Sequence, residues 1–204
     1  AELETDMTSR GVGTEAAARA TSALIQGHKP RWIISAGFAG GLDERLQQGD
    51  ILMANELVDL AGQRLTIDLK FDPQSLESMR HLHVGRLLTA DRVVGEIDSK
   101  RALGQQNEAL AVDMESMAVA DVCRQEQVRC LSIRVISDAV DQALPKDIDY
   151  LVTRKTLAGR IGAAAGAAVR RPSSIKDMWQ LKEDALVASD RLAKFLAGII
   201  GQLP

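Results

Sequence analysis

The chain has 204 residues, 46% hydrophobic and 26% charged, and 25 basic side chains stand against 28 acidic ones for a net charge of −3. This composition suits a core-forming globular chain and excludes a disordered or fibrous one, while the near-balanced charge excludes the basic footprint that nucleic acid or an anionic membrane demands. No apolar run approaches the roughly 18 residues of a membrane span and the opening residues carry no signal-peptide pattern. The two cysteines, Cys123 and Cys130, form neither a CxxC pair nor a disulfide framework, so a reducing, cytoplasmic setting is expected.

Ten residues without periodicity lead to Gly11-Val12-Gly13 and an Ala-rich helix, with Thr14 as its N-cap and Gly27 at its end. Residues 31–36 (RWIISA) read as a short apolar strand that exits into a glycine-rich loop, 37–41. Residues 50–60 and 64–69 read as strands separated by a turn at Ala61-Gly62. Asp72-Pro73 has the form of an N-cap and first position of a short helix running to about residue 80. Residues 85–90 form a strand, Asp98 opens a helix, and 109–112 form another strand. From Met114 to Glu126 the apolar residues Met114, Ala118 and Val122 share one helical face. Residues 128–136 (VRCLSIRVI) are the most strand-like run in the chain. A long helix is expected over 148–169, a break at Arg170-Arg171-Pro172, and a last helix over 175–201 with apolar spacings of three and four. Strands alternating with helices predict an α/β fold with helices on the faces of a sheet. The break divides the chain into a main domain, 1–171, and a C-terminal helical extension, 172–204.

Four segments carry chemistry. Gly11-Val12-Gly13-Thr14-Glu15-Ala16 fits G-x-G-x-x-A, but no strand precedes it and no acid follows Ser35-Ala36, so a tight turn feeding a helix is the better reading than a dinucleotide site. The glycines of 37–41 lie beyond a strand, where backbone can approach a ligand. In Val112-Asp113-Met114-Glu115-Ser116 two carboxylates sit where a strand hands over to a helix; they can cap that helix, or Glu115 can accept from vicinal hydroxyls such as those of a ribose. In Arg134-Val135-Ile136-Ser137-Asp138 the final Asp, just past a buried strand, serves as a turn residue or as a general acid. His81-Leu82-His83 has no partner at ligand spacing, so surface histidines are expected and no metal site.

Taken together these segments resemble the purine nucleoside phosphorylase and nucleosidase superfamily, and within it the methylthioadenosine/S-adenosylhomocysteine nucleosidase branch. Gly11-Val12-Gly13 with its Ala-rich helix and Lys29-Pro30 looks like the family's GIG…KP stretch, and residues 33–50 (IISAGFAGGLDERLQQGD) look like its INTGxAGGL…GD segment. Residues 111–141 follow its VEMEA…RxISDxAD block almost position by position, and the likeness runs from about 9 to 170. It implies a mixed central β-sheet flanked by helices, nucleoside phosphorylase-like, with an added C-terminal helix. It also implies cleavage of the N-glycosidic bond of a purine nucleoside through an oxocarbenium-like ribosyl cation, with no metal or organic cofactor. By position, Asp138 is the catalytic acid, protonating or hydrogen-bonding N7 of the departing base beside Ser137. Glu115 holds the ribose hydroxyls, with Met114 packed under the sugar. Val93, Val94 and Asp113 fall to the base, Phe38, Ala39 and Gly40 to the nucleophile's side, and Ile148 to the 5′ pocket. A homodimer is implied, because the family completes its sites across an interface.

Four departures refine the expectation. The ring that stacks on the purine in the nucleosidases falls at Val93, and the ring that meets the 5′-substituent falls near Ile148, which widens the pocket. The phosphate-binding Arg of the phosphorylases falls near Ser35, which favours water as nucleophile. The family's opening strand, whose Glu activates that water, has no counterpart here beyond Glu2 and Glu4. The expected activity is therefore hydrolysis of a small-molecule purine nucleoside, of the 5′-modified adenosine type, with release of free base. The alternatives are a phosphate-dependent phosphorylase and a nucleoside-binding protein that does not cleave.

Overall fold

The structure is a computed structural model that describes residues 12–72, 75–76, 79–144 and 173–203, with side chains described from residue 13 and, in the last segment, from residue 185. The described elements are α1 (Val12–His28), β1 (Trp32–Gly41), β2 (Ile51–Asp59), β3 (Arg64–Thr66), β4 (Leu82–Thr89), α2 (Ile97–Asn107), β5 (Ala111–Asp113), α3 (Ser116–Gln125), β6 (Arg129–Asp138) and α4 (Ser173–Ile200). The strands form a mixed sheet in the order β3-β2-β4-β5-β1-β6. The pairs β1–β6, β2–β4 and β4–β5 are parallel, whereas β1–β5 and β2–β3 are antiparallel. The sheet also closes on itself, because Ile51–Met53 of β2 pair antiparallel with Ile133–Val135 of β6. This makes an α/β fold with a mixed central sheet flanked by helices, as the sequence implied.

Strand β6 is buried from Leu131 through Ile136, which is why its sequence reads as a nearly continuous apolar run. The main core joins Leu52, Met53, Leu57, Leu87, Leu131 and Ile133 of the sheet to Ala188, Leu192 and Ile199 of α4. Helix α4 is pinned further by Arg191 Nη1, which donates to the Gly49 carbonyl at 2.9 Å. A smaller cluster of Ile25, Val119 and Cys123 joins α1 to α3.

Several expectations are corrected. Residues 37–41 are strand, not loop: β1 runs on through them, with Gly37, Phe38 and Ala39 paired to Arg134, Val135 and Ile136 of β6. Gly40 pairs with Asp138 of β6 and with Val112 of β5, and Gly41 with Ala111 of β5, so the two ladders between them hold the glycine-rich backbone extended. Thr14 is not an N-cap; it lies inside α1, and its hydroxyl donates to the Met114 carbonyl at 3.1 Å. Helix α3 begins at Ser116, after both carboxylates rather than between them. Strand β4 begins at Leu82; the two histidines do reach the surface, His81 exposed and His83 partly so, and both face the carboxylate of buried Asp50, His81 Nδ1 at 2.9 Å and His83 Nε2 at 3.1 Å. Asp72 does accept from Ser75 N–H at 3.0 Å in the manner of a cap, although most of the short helix expected there falls outside the described residues. The helix expected over 148–169, with Ile148, also lies outside them. No described helix is long and apolar enough to cross a membrane.

Candidate active site

The C-terminal ends of β1, β4, β5 and β6 converge on a cleft of about 380 Å³. Its walls are Phe38, Ala39 and Gly40 from β1, Arg92, Val93 and Val94 after β4, Val112 to Glu115 at the β5–α3 junction, Ser137 and Asp138 at the end of β6, and Leu144. The volume is that of a pocket for a small organic ligand. The structure thus brings together Phe38, Ala39, Gly40, Val93, Val94, Asp113, Met114, Glu115, Ser137 and Asp138, all singled out from the sequence. Arg92 and Leu144 were not singled out.

The two carboxylates at the β5–α3 junction have different work. Asp113 caps α3: its oxygens accept the Ser116 N–H at 3.1 and 3.4 Å, and Thr89 Oγ1 donates to Oδ1 at 2.9 Å. Arg134 completes its shell, donating from Nε to Oδ2 at 2.9 Å. Arg134 also donates to the Ser35 carbonyl and hydroxyl and to Ser116 Oγ, each at 2.7 Å, so this buried cation ties β1, β5, α3 and β6 together. With Asp113 as the cap, Glu115 occupies the N-cap position with no side-chain cap bond, and it is half-buried at the cleft. Burial, aided by repulsion from Asp113, pushes its carboxyl above the usual glutamate range; Arg134 and the Met114 backbone oppose the shift. The approach of α1 at Gly13 frames the group, since a Cβ there would lie 3.0 Å from Glu115 Oε1.

Asp138 ends β6. Ser137 Oγ lies 2.5 Å from its Oδ1 and 3.1 Å from the Ala39 carbonyl, either of which accepts the hydroxyl proton. Its Oδ2 contacts Lys100 Nζ of α2. That ammonium also donates to the carbonyls of Ala139 at 2.9 Å and Gln142 at 2.7 Å, and the Lys100 side chain is 0% exposed. Two glycines let β1 pass beside the group: a Cβ at Gly40 would sit 3.3 Å from Asp138 Oδ2, and one at Gly41 would sit 3.1 Å from the Asp138 carbonyl. Sequence reading missed Lys100 because a lone lysine in a polar helix is normally solvated. The available signal was the i, i+4 pair with Gly104, which marks one face of α2. Among the described residues no group of three or more His, Cys, Asp or Glu is arranged to hold a metal ion.

A cleft at strand ends carrying one half-buried, uncapped carboxylate and one carboxylate held between a hydroxyl and a buried ammonium suits recognition of a polyol and proton chemistry at a neighbouring leaving group. Comparison with known proteins agrees. The phosphorylase superfamily model matches residues 7–170. A 5′-methylthioadenosine/S-adenosylhomocysteine nucleosidase of Staphylococcus haemolyticus is 31% identical over 156 residues, covering 66% of this chain and 68% of that protein. The S. pneumoniae nucleosidase of the same name, solved with a transition-state inhibitor, superposes with a TM-score of 0.57 at 27% identity, covering 64% of this chain and 66% of that one. The Helicobacter pylori nucleosidase superposes with a TM-score of 0.62 over 94% of this chain and 77% of that one; at 22% identity this speaks to the fold. With that model matching most of its length, the chain belongs to the phosphorylase superfamily.

Proposed function

We propose that this chain hydrolyses the N-glycosidic bond of a purine nucleoside of the 5′-modified adenosine type, releasing the free base. The observation that carries the reading is the pairing, in one cleft, of Glu115 free of any side-chain cap bond with Asp138 at the end of β6. The ribose hydroxyls donate to the Glu115 carboxylate, and Met114 lies under the sugar. The backbone at Val93 and Val94 faces the purine edge. Asp138, with Ser137 beside it, delivers a proton to N7 as the C1′–N9 electron pair withdraws into the base, so that a neutral purine leaves. The bond breaks through an oxocarbenium-like ribosyl cation, which is captured from the side lined by Phe38, Ala39 and Gly40. Asp113 acts through structure: its carboxylate is engaged by Arg134, Thr89 and Ser116, and it positions Glu115 rather than touching the base.

Water is the nucleophile we favour, supported by the nucleosidase names of the relatives and by Ser35 at the position of the phosphorylases' arginine. The same kinship supports a homodimer. A cytoplasmic setting is supported by free Cys123 and Cys130. The test is chromatographic. The protein is incubated with adenosine, inosine, 5′-methylthioadenosine, S-adenosylhomocysteine and a bulkier 5′-substituted adenosine, with and without phosphate. Free base without phosphate is the expected result. Base released only with phosphate assigns a phosphorylase, and binding without release assigns a nucleoside-binding protein.

A further inference from the structure

We propose that Lys100 is the positioning residue for the leaving-group step, holding Asp138 in place and answering the charge left on it when its proton goes to the base. The inference rests on the assignment of Asp138 above. Lys100 does not line the cleft; it stands behind Asp138, and each of its three donated bonds goes to the segment 138–142.

The helix that carries it is built around that reach. Helix α2 buries Lys100 and Gly104, one turn apart on one face, and is otherwise largely polar. Gly104 lets the helix close on the chain just past β1: a Cβ there would lie 2.6 Å from the Leu42 carbonyl oxygen. At that separation the Lys100 ammonium meets Asp138 Oδ2, while Ser137 Oγ stands 2.5 Å from Oδ1. The carboxyl group is therefore held at both oxygens, which fixes its plane relative to the cleft. A buried ammonium is costly to desolvate, and a buried ion pair is a weak source of stability compared with apolar packing, so its presence at this point calls for another reason.

The chemistry supplies one. Asp138 takes up a proton from solvent before the leaving-group step; in that step its O–H bond breaks, the N7–H bond forms, the C1′–N9 pair passes to the purine, and the carboxylate facing Lys100 is restored. The fixed ammonium behind it compensates that negative charge as it develops, with no reorganisation at the moment of reaction. Lys100 thus acts on the transition state through Asp138, and its effect belongs to leaving groups that require a proton.

The experiment compares 5′-methylthioadenosine with 4-nitrophenyl β-D-riboside, whose phenolate departs without protonation, for wild type, Lys100→Gln, Lys100→Arg and Asp138→Asn. Lys100→Gln is expected to lower kcat on the nucleoside by about 100-fold with KM within about threefold, to leave the nitrophenyl riboside within about threefold of wild type, and to be partly rescued in Lys100→Arg. Equal losses on both substrates reduce Lys100 to a support for the turn at 138–142 and overturn the proposal, as does full nucleoside turnover in Lys100→Gln. Should Lys100→Gln fail to fold, Lys100→Arg, which keeps the charge but carries a bulkier donor into a buried site, is judged by the same selectivity. If Asp138→Asn itself retains nucleoside turnover, the assignment of Asp138 fails and the proposal with it. If Asp138→Asn is inactive while the Lys100 variants are not, the Lys100 inference alone fails.

Discussion

Arg134 and Asp113 form a buried ion pair, Nη2 to Oδ2 at 2.8 Å with side-chain exposures of 4% and 1%, which joins β6 to β5 at the wall of the cleft. The pair is one half of a division of labour. By capping α3 and taking up the arginine, Asp113 leaves Glu115 to face the ligand. Removing one member of such a pair strands the other charge in the core. Arg134→Leu is therefore expected to lower the unfolding free energy by about 3–5 kcal/mol. Urea unfolding followed by circular dichroism measures this; a loss below about 1 kcal/mol would show that Asp113 finds another partner.

Asp138→Asn keeps the shape of the side chain and its acceptor toward Ser137 but removes the proton donor. Nucleoside hydrolysis is expected to fall by roughly 10²- to 10⁴-fold with an unchanged circular dichroism spectrum. Wild-type turnover in a folded Asp138→Asn protein contradicts its role as the acid.

Glu115 gives a pH dependence whose sign is fixed by burial. Its carboxyl is held above the usual glutamate range, so the folded protein keeps a proton that the unfolded chain has already released. The stability drawn from this group is complete below the ordinary glutamate range and is lost as pH rises through the raised folded value. The difference in unfolding free energy between wild type and Glu115→Gln, measured by denaturant titration at a series of pH values, should decline across that window. A difference that is flat with pH would place Glu115 in a solvated environment.

Gly13 and Glu115 are linked by space. A methyl group at position 13 would sit 3.0 Å from Glu115 Oε1, and the far end of that side chain is what would yield. Gly13→Ala is expected to leave the melting temperature nearly unchanged and to reduce kcat/KM by roughly 10-fold, the scale of a misplaced binding group. An unaltered kcat/KM in steady-state kinetics would show that the carboxylate position is not critical.

Gly104→Ala tests the docking of α2 apart from any charge. Alanine favours a helix interior by about 1 kcal/mol over glycine, yet here its Cβ would meet the Leu42 carbonyl oxygen at 2.6 Å, a backbone atom that does not move cheaply. The clash should win, with a net destabilisation of about 1–3 kcal/mol in a urea titration. A stabilised variant would mean that α2 stands further from Leu42 than described.

Much of this protein was determined by sequence alone. The run 128–136 is apolar because β6 is buried on both faces, and the hand-over at 113–116 announces its strand and helix by composition. The motif blocks brought the cleft-lining residues together in advance, because a family's binding groups sit at fixed offsets within short segments. The tertiary structure decided the rest. Local pattern cannot show that residues 37–41 remain strand, since that follows from neighbours at 111–112 and 134–138 pairing on both sides. Nor can it say which of Asp113 and Glu115 caps α3, since the choice depends on Arg134, 21 residues beyond Asp113. Lys100 reads as a solvated lysine until Gly104 brings α2 against Leu42 and sets the ammonium on a carboxylate 38 residues away. Periodicity records which face of an element is buried, whereas the partner of a buried polar group is set by how elements dock, and that information is spread across the whole chain.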